Sequence, residues 1–145
     1  MKLNIGAGEK HIEGYVSVDI LPGADVVMDV EKDAWPWEEN SIDEIVAEHF
    51  IEHIHDFIGF MNKSHAVLKP GAILSIVTPH PMCDYFWQDP THIRGYTPNT
   101  FLLYCTGIAG TVHAGIIPWI DCKCWMRDEE INGVLARIIF AVLKK

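Results

Sequence analysis

The sequence predicts a single α/β domain built on a mostly parallel sheet with an antiparallel last strand. Three observations carry this: short β-branched runs separated by glycine turns in the first half, a helical period between Ile51 and Leu68, and two long strand-like runs near the end. Leu3 to Ile5 is a short apolar run that breaks into Gly6, Ala7 and Gly8. Tyr15 to Ile20 follows, with Val16 and Val18 alternating with polar neighbours. Ala24 to Val30, Ile42 to Ala47 and Ala72 to Val77 are further strand candidates, each bounded by Pro, Gly, Asn or Asp. Ile51, Ile54, Ile58, Met61, His65 and Leu68 recur at spacings of three and four, which predicts a helix that Lys69, Pro70 and Gly71 stop.

Strands alternating with helical or turn segments imply parallel pairing with crossovers. Only seven residues separate Gly8 from Val16, so the first crossover helix is reduced or absent. Ile116 to Trp125 and Val134 to Leu143 form an antiparallel hairpin joined by the polar segment Arg127 to Gly133. Both alternating sets of the second run are mostly apolar, which places that strand inside the sheet and not at its edge. Residues 79–115 hold no clean period; they carry four prolines with His80 and His92, and are expected to form a lid with substrate contacts.

A chain of 145 residues that is 49% hydrophobic and 21% charged suits one domain over residues 1–145 and excludes disorder and coiled coil. No apolar run approaches the ~18–20 residues of a membrane helix, and no export signal opens the chain, so a cytoplasmic protein is expected. The net charge of −9 removes the usual attraction to nucleic acid and favours a small-molecule or protein partner. Four cysteines in such a chain read as thiols.

The glycine turn lets backbone approach a ligand and presents free amides. Asp19, ending the next strand, is a carboxylate suited to two ribose hydroxyls. The third position of a dinucleotide fingerprint is His11 and the acid arrives well before the usual ~20 positions, which disfavours NAD; there is no Gly-Lys-Ser/Thr for a triphosphate.

These residues carry a likeness. Leu3 to Gly8 and Gly14 to Asp19 are similar to the opening of short class I S-adenosylmethionine-dependent methyltransferases. The likeness continues through Ala24 to Val30, Trp35 to Ile45, Glu48 to His53 and Val67 to Leu74. The resemblance implies a three-layer Rossmann-like methyltransferase sheet, and S-adenosylmethionine as cofactor for an enzyme acting on an unidentified acceptor. By that likeness Gly6, Ala7 and Gly8 pass under the methionine part of the cofactor, Asp19 holds the ribose, and Ile20 packs on the adenine. Asp29 and Val30 reach the adenine edge, and Glu48 and His49 lie beside the methionyl group. The acidic residue frequent before the glycine turn in that family is Asn4 here, and the roofing N-terminal helices of larger relatives have no counterpart, so the lid falls to residues 79–115 or to a second subunit in a homodimer.

Methyl transfer from a sulfonium needs alignment and exclusion of water, and a hydroxyl or amine acceptor also needs a base. His49 is the expected base, with His80 and His92 as substrate contacts. His49, Glu52, His53 and His55 also resemble a metal set, but the order is not His-Glu-x-x-His, so no metal is expected. The competing reading is a non-catalytic cofactor-binding module acting as a regulator or partner.

Overall fold

A computed structural model describes residues 1–106 and 115–145. Seven strands form one sheet: β1 (Lys2–Ile5), β2 (Val16–Asp19), β3 (Val26–Val27), β4 (Ile42–Glu48), β5 (Leu68–Pro79), β6 (Asp121–Ile131) and β7 (Val134–Lys144). Their spatial order is β3-β2-β1-β4-β5-β7-β6. The first five run parallel, and β7 runs antiparallel to both β5 and β6. The interior position expected for the last strand is therefore observed. Ala136, Ile138, Ile139, Ala141 and Leu143 are buried along it, although Leu135 faces solvent. The helices among the described residues are few and short: α1 (Phe57–Val67), α2 (Asp84–Trp87) and α3 (Pro98–Thr106). None is long and apolar enough to cross a membrane.

No helix joins β1 to β2, as the short spacing requires. The connection is held by turns, with Lys10 N–H donating to the Ala7 carbonyl at 2.8 Å and Tyr15 N–H to that of Ile12 at 3.1 Å. Asn4, buried within β1, donates from Nδ2 to the Lys10 carbonyl at 3.0 Å and ties the loop to the sheet.

Four elements differ from expectation, each for a local reason. The third strand keeps only two residues because Asp25 turns back on Ser17, accepting from its N–H at 2.8 Å and its hydroxyl at 2.7 Å. The helix begins at Phe57, not Ile51. Asp56 caps it by accepting from Gly59 N–H at 2.8 Å, and Glu31 Oε1 takes the His55 and Asp56 amides. Ile51–His53 is a separate single 3₁₀ turn. Ile51 and Ile54 keep the apolar period across the break because both still point into the core. We expect Asp56→Ala to lower the unfolding free energy by about 0.5–2 kcal/mol in a denaturant titration, the usual cost of losing an N-cap.

The helix does end at Val67, just before Lys69, Pro70 and Gly71, but these three lie within β5, which starts at Leu68 and not at Ala72 and whose pairing with β4 shifts register between Ile42 and Glu44. An irregularity of that kind accommodates proline and a left-handed glycine, and Gly71 has φ +84°. Finally, the segment from Arg127 is strand, not connection. The hairpin turn is Asn132-Gly133 alone, both at positive φ, as a two-residue turn of the I′ class requires.

Residues 79–115 contribute to the core. Phe86, Tyr96, Phe101 and Tyr104 are all buried, and Tyr96, Phe101 and Tyr104 surround the Phe57 ring. The Tyr96 hydroxyl donates to the Ile51 carbonyl at 2.9 Å, and burial pushes the phenols of Tyr96 and Tyr104 above their ordinary range. The part of this segment at 107–114 lies outside the described residues.

Candidate functional site

Parallel pairing of β1 with β2 brings their C-terminal ends together and sets the site. Gly6 and Ala7 N–H both reach the Val18 carbonyl, at 2.9 and 3.3 Å. Asp19 then accepts from Gly8 N–H at 2.8 Å through Oδ2 and from Leu21 N–H at 2.9 Å through Oδ1. Each carboxylate oxygen keeps a lone pair for a further donor. Gly8 has φ +53° with open space where a side chain would be, so the bend stays bare. Gly6 is glycine for another reason: a Cβ there would stand 2.3 Å from the Phe50 ring.

A cavity of about 200 Å³ opens in front of this bend. Gly6, Asp19, Ile20, Asp29 and Val30 line it, with Met28, Phe50 and His53 among its other walls. Its volume falls below the ~300–1,000 Å³ of sites that enclose a whole drug-sized ligand, and suits a nucleoside with the rest lying over the open turn. Ile20 is 67% exposed and stands at the rim. The Asp29 carboxylate is held below its ordinary range by hydrogen bonding to the Lys32 ammonium at 2.6 Å, with support from the Glu31 and Lys32 amides. The Val30 N–H has no hydrogen-bond partner among the described residues.

The other expected residues sit around this cavity and not in its wall. Ala7 is buried behind the bend, and Glu48 pairs with Lys10, whose loop crosses the end of β4. His49 follows Glu48 with φ +49°, a left-handed conformation that histidine adopts more readily than most residues. Its N–H is anchored on the Val77 carbonyl at 2.8 Å.

His49 and His92 line a second cavity of about 470 Å³, together with Tyr85, Gln88, Asp89 and His53. His53 lines both cavities, so the two adjoin. Burial, and after it the charge of Glu52, raises the Tyr85 pKa and leaves a neutral phenol at physiological pH. His80 lines neither cavity. Its Nδ1 accepts from Met82 N–H at 3.1 Å, and burial with nearby Arg137 lowers its pKa, so the ring is neutral with Nε2 as donor.

Four residues in this region, Phe50, His53, Tyr85 and Asp89, had no part in the expected cofactor or substrate contacts. Signals for some of them exist in the sequence: Phe50 and His53 follow closely on the end of β4, and Asp89 precedes His92 by three positions.

The strand order, the bare bend and the paired carboxylate define the class: this is the Rossmann-like sheet of S-adenosylmethionine-dependent methyltransferases. The chain belongs to the family described as methyltransferase domain, which it matches over residues 7–110. No curated protein sequence matches it. Among solved structures it is similar to a SAM-dependent methyltransferase from Archaeoglobus fulgidus, at 17% identity and a TM-score of 0.73, covering 99% of this chain and 85% of that one. It is also similar to the Burkholderia thailandensis 1,6-didemethyltoxoflavin-N1-methyltransferase, which has 1,6-didemethyltoxoflavin and S-adenosylhomocysteine bound. That match has 16% identity and a TM-score of 0.61, over 99% of this chain and 70% of that one. A third likeness is to the Haemonchus contortus phosphoethanolamine N-methyltransferase 2, at 14% identity and a TM-score of 0.59, over 99% of this chain and 48% of that one. S-adenosylmethionine is the methyl donor of this class.

Proposed function

We propose that the protein binds S-adenosylmethionine at the ends of β1 and β2 and methylates a small acceptor held in the adjoining cavity. The observation that carries the reading is that Gly6, at the start of the bare bend, and Asp19, which holds that bend through the Gly8 N–H, line one cavity, which shares His53 with a second. Asp19 would accept from the ribose hydroxyls, Ile20 and Met28 would flank the base, and the Val30 N–H would donate to its edge. The cofactor supplies a methyl group on a sulfonium whose departure leaves a neutral thioether.

The zwitterionic end of the cofactor would meet the Lys10 and Glu48 pair, which offers a cation and an anion at the bend in place of the carboxylate that Asn4 lacks. Around the second cavity, the wall from Tyr85 to His92 would exclude water from the acceptor, the lid function of this segment, while Phe86 anchors that wall in the interior. His49, at the mouth of that cavity, would take the acceptor's proton, and His92 would contact the acceptor. His80, as an Nε2 donor outside both cavities, would act only on an acceptor that extends past Pro79.

Isothermal titration with S-adenosylhomocysteine tests the shared claim, and one site per chain is expected. Methyl release from labelled cofactor against small hydroxy, amino and carboxy compounds then separates an enzyme from a binder. A chain that binds no S-adenosylhomocysteine would end this reading.

A further inference from the structure

Glu52 is fully buried, and a buried carboxylate is costly unless each oxygen is matched. Oε2 accepts from the Thr78 hydroxyl at 3.0 Å, whereas Oε1 has no hydrogen-bond partner among the described residues. Three imidazoles gather about this carboxylate. His49 Nδ1 stands 3.4 Å from Oε1, outside hydrogen-bond geometry, and Glu52, His53 and His92 each offer one ligand atom within 4.8 Å of the others.

The outer nitrogens of two of these rings are committed elsewhere. His92 Nδ1 lies 2.6 Å from the Phe86 carbonyl, an acceptor only, so Nδ1 carries the proton and Nε2 keeps its lone pair. His53 Nδ1 lies 3.3 Å from the Thr91 carbonyl and 3.0 Å from the Thr91 hydroxyl, which itself donates to Asp89 at 2.6 Å. Its Nε2 is likewise left as an acceptor. Metal-ligating histidines almost always donate their other N–H to a carbonyl or carboxylate, and ligating carboxylates are themselves hydrogen-bonded. Both conditions hold here before any ion is considered.

Resting on the functional reading above, we propose that Glu52, His53 and His92 form a site for one divalent transition-metal ion at the junction of the two cavities. Two imidazoles and one carboxylate suit Zn²⁺, Fe²⁺ or Co²⁺, and not Mg²⁺ or Ca²⁺, which prefer oxygen. Bonds of about 2.0–2.2 Å hold tetrahedral ligands ~3.4 Å apart, so these side chains draw together by ångström-scale rotation as the ion enters. Asp89, with Oδ2 3.8 Å from His92 Nε2, stands at the rim. Three protein ligands leave positions open, and the second cavity lies against them. An acceptor hydroxyl entering there would lose its proton to His49, which lines the same cavity, its oxygen would form the bond to the methyl carbon, and the carbon–sulfur bond of the donor would break to leave a neutral thioether.

The 145-residue chain, stripped with a chelator, is titrated with Zn²⁺ in competition with an indicator, and with Co²⁺ while its ligand-field bands are followed. One equivalent is expected. His53→Gln and His92→Gln should each weaken binding at least about 100-fold, whereas His55→Gln, exposed and two residues along, should bind as the parent does. Glu52→Gln is added only if its circular dichroism matches the parent. Acetohydroxamate, a simple oxygen chelator, should shift the Co²⁺ bands by entering the open positions. No titratable equivalent, or an affinity unchanged in both histidine variants, overturns the site; bands indifferent to acetohydroxamate overturn its acceptor role. S-adenosylhomocysteine titrated in parallel separates the two readings: binding it without metal sinks the metal site alone, and binding metal without it sinks the cofactor reading alone.

Discussion

Phe101→Ala is expected to lower the unfolding free energy by about 3–5 kcal/mol in urea denaturation, with no change in the residues that line either cavity. Phe101 is completely buried, with its ring 6.2 Å from that of Phe57 and 5.9 Å from that of Tyr96. Neighbours fixed by α1 and by the Tyr96 hydroxyl bond to Ile51 cannot collapse into the space a phenyl group leaves. Such a loss is a large part of the ~5–15 kcal/mol that holds a domain of this size together. Met82→Ala, in the same segment but 80% exposed, should stay within about 0.5 kcal/mol. The contrast separates two roles within residues 79–115: α3 and Tyr96 belong to the interior, and the stretch from Tyr85 to His92 walls a cavity. Deleting residues 84–96 would therefore remove Phe86 and Tyr96 from the interior and unfold the chain. A loss below about 1 kcal/mol at Phe101 would return the whole segment to the surface.

The first two strands were legible because their message is local. A run ending in two glycines, then a second run ending in a carboxylate, leaves parallel pairing little freedom, and Gly8 and Asp19 meet at 2.8 Å. The interior position of β7 was legible for a similar reason, since a strand apolar on both faces must be covered on both. The hairpin turn was misplaced because Arg127, Asp128, Glu129 and Glu130 look like loop by composition. They lie on β6, an edge strand, where charge guards against pairing with other chains. The Asn132-Gly133 pair was the better signal. The grouping of Glu52 and His53 with His92 was not legible at all. It depends on the Glu52 carbonyl holding the amides of Ile93 and Arg94, at 2.9 and 3.3 Å, a tertiary contact that no spacing along the chain encodes. Proximity in sequence pointed to His49 and His55 as partners of His53; the fold leaves His55 exposed and supplies His92, from the segment that follows β5 in the chain.

Asp19→Ala is expected to weaken S-adenosylhomocysteine binding by about 1–3 kcal/mol, roughly 5- to 150-fold in Kd. Two effects contribute. The variant would remove the acceptor proposed for the ribose hydroxyls, and it would release the Gly8 and Leu21 amides that the carboxylate holds at 2.8 and 2.9 Å. Asp19→Asn separates them. An asparagine keeps one acceptor oxygen, which can hold a single amide, and loses the charge that strengthens every bond to it. Its loss should fall between those of the parent and the alanine variant, with thermal stability nearer the parent's. Stability is the check on cause: if both variants bind weakly only in proportion to a lowered melting temperature, the carboxylate serves the bend and not the ligand. An alanine variant that folds and binds with an unchanged Kd would place the nucleoside elsewhere. The Val30 N–H and the Ile20 rim would then have no base between them.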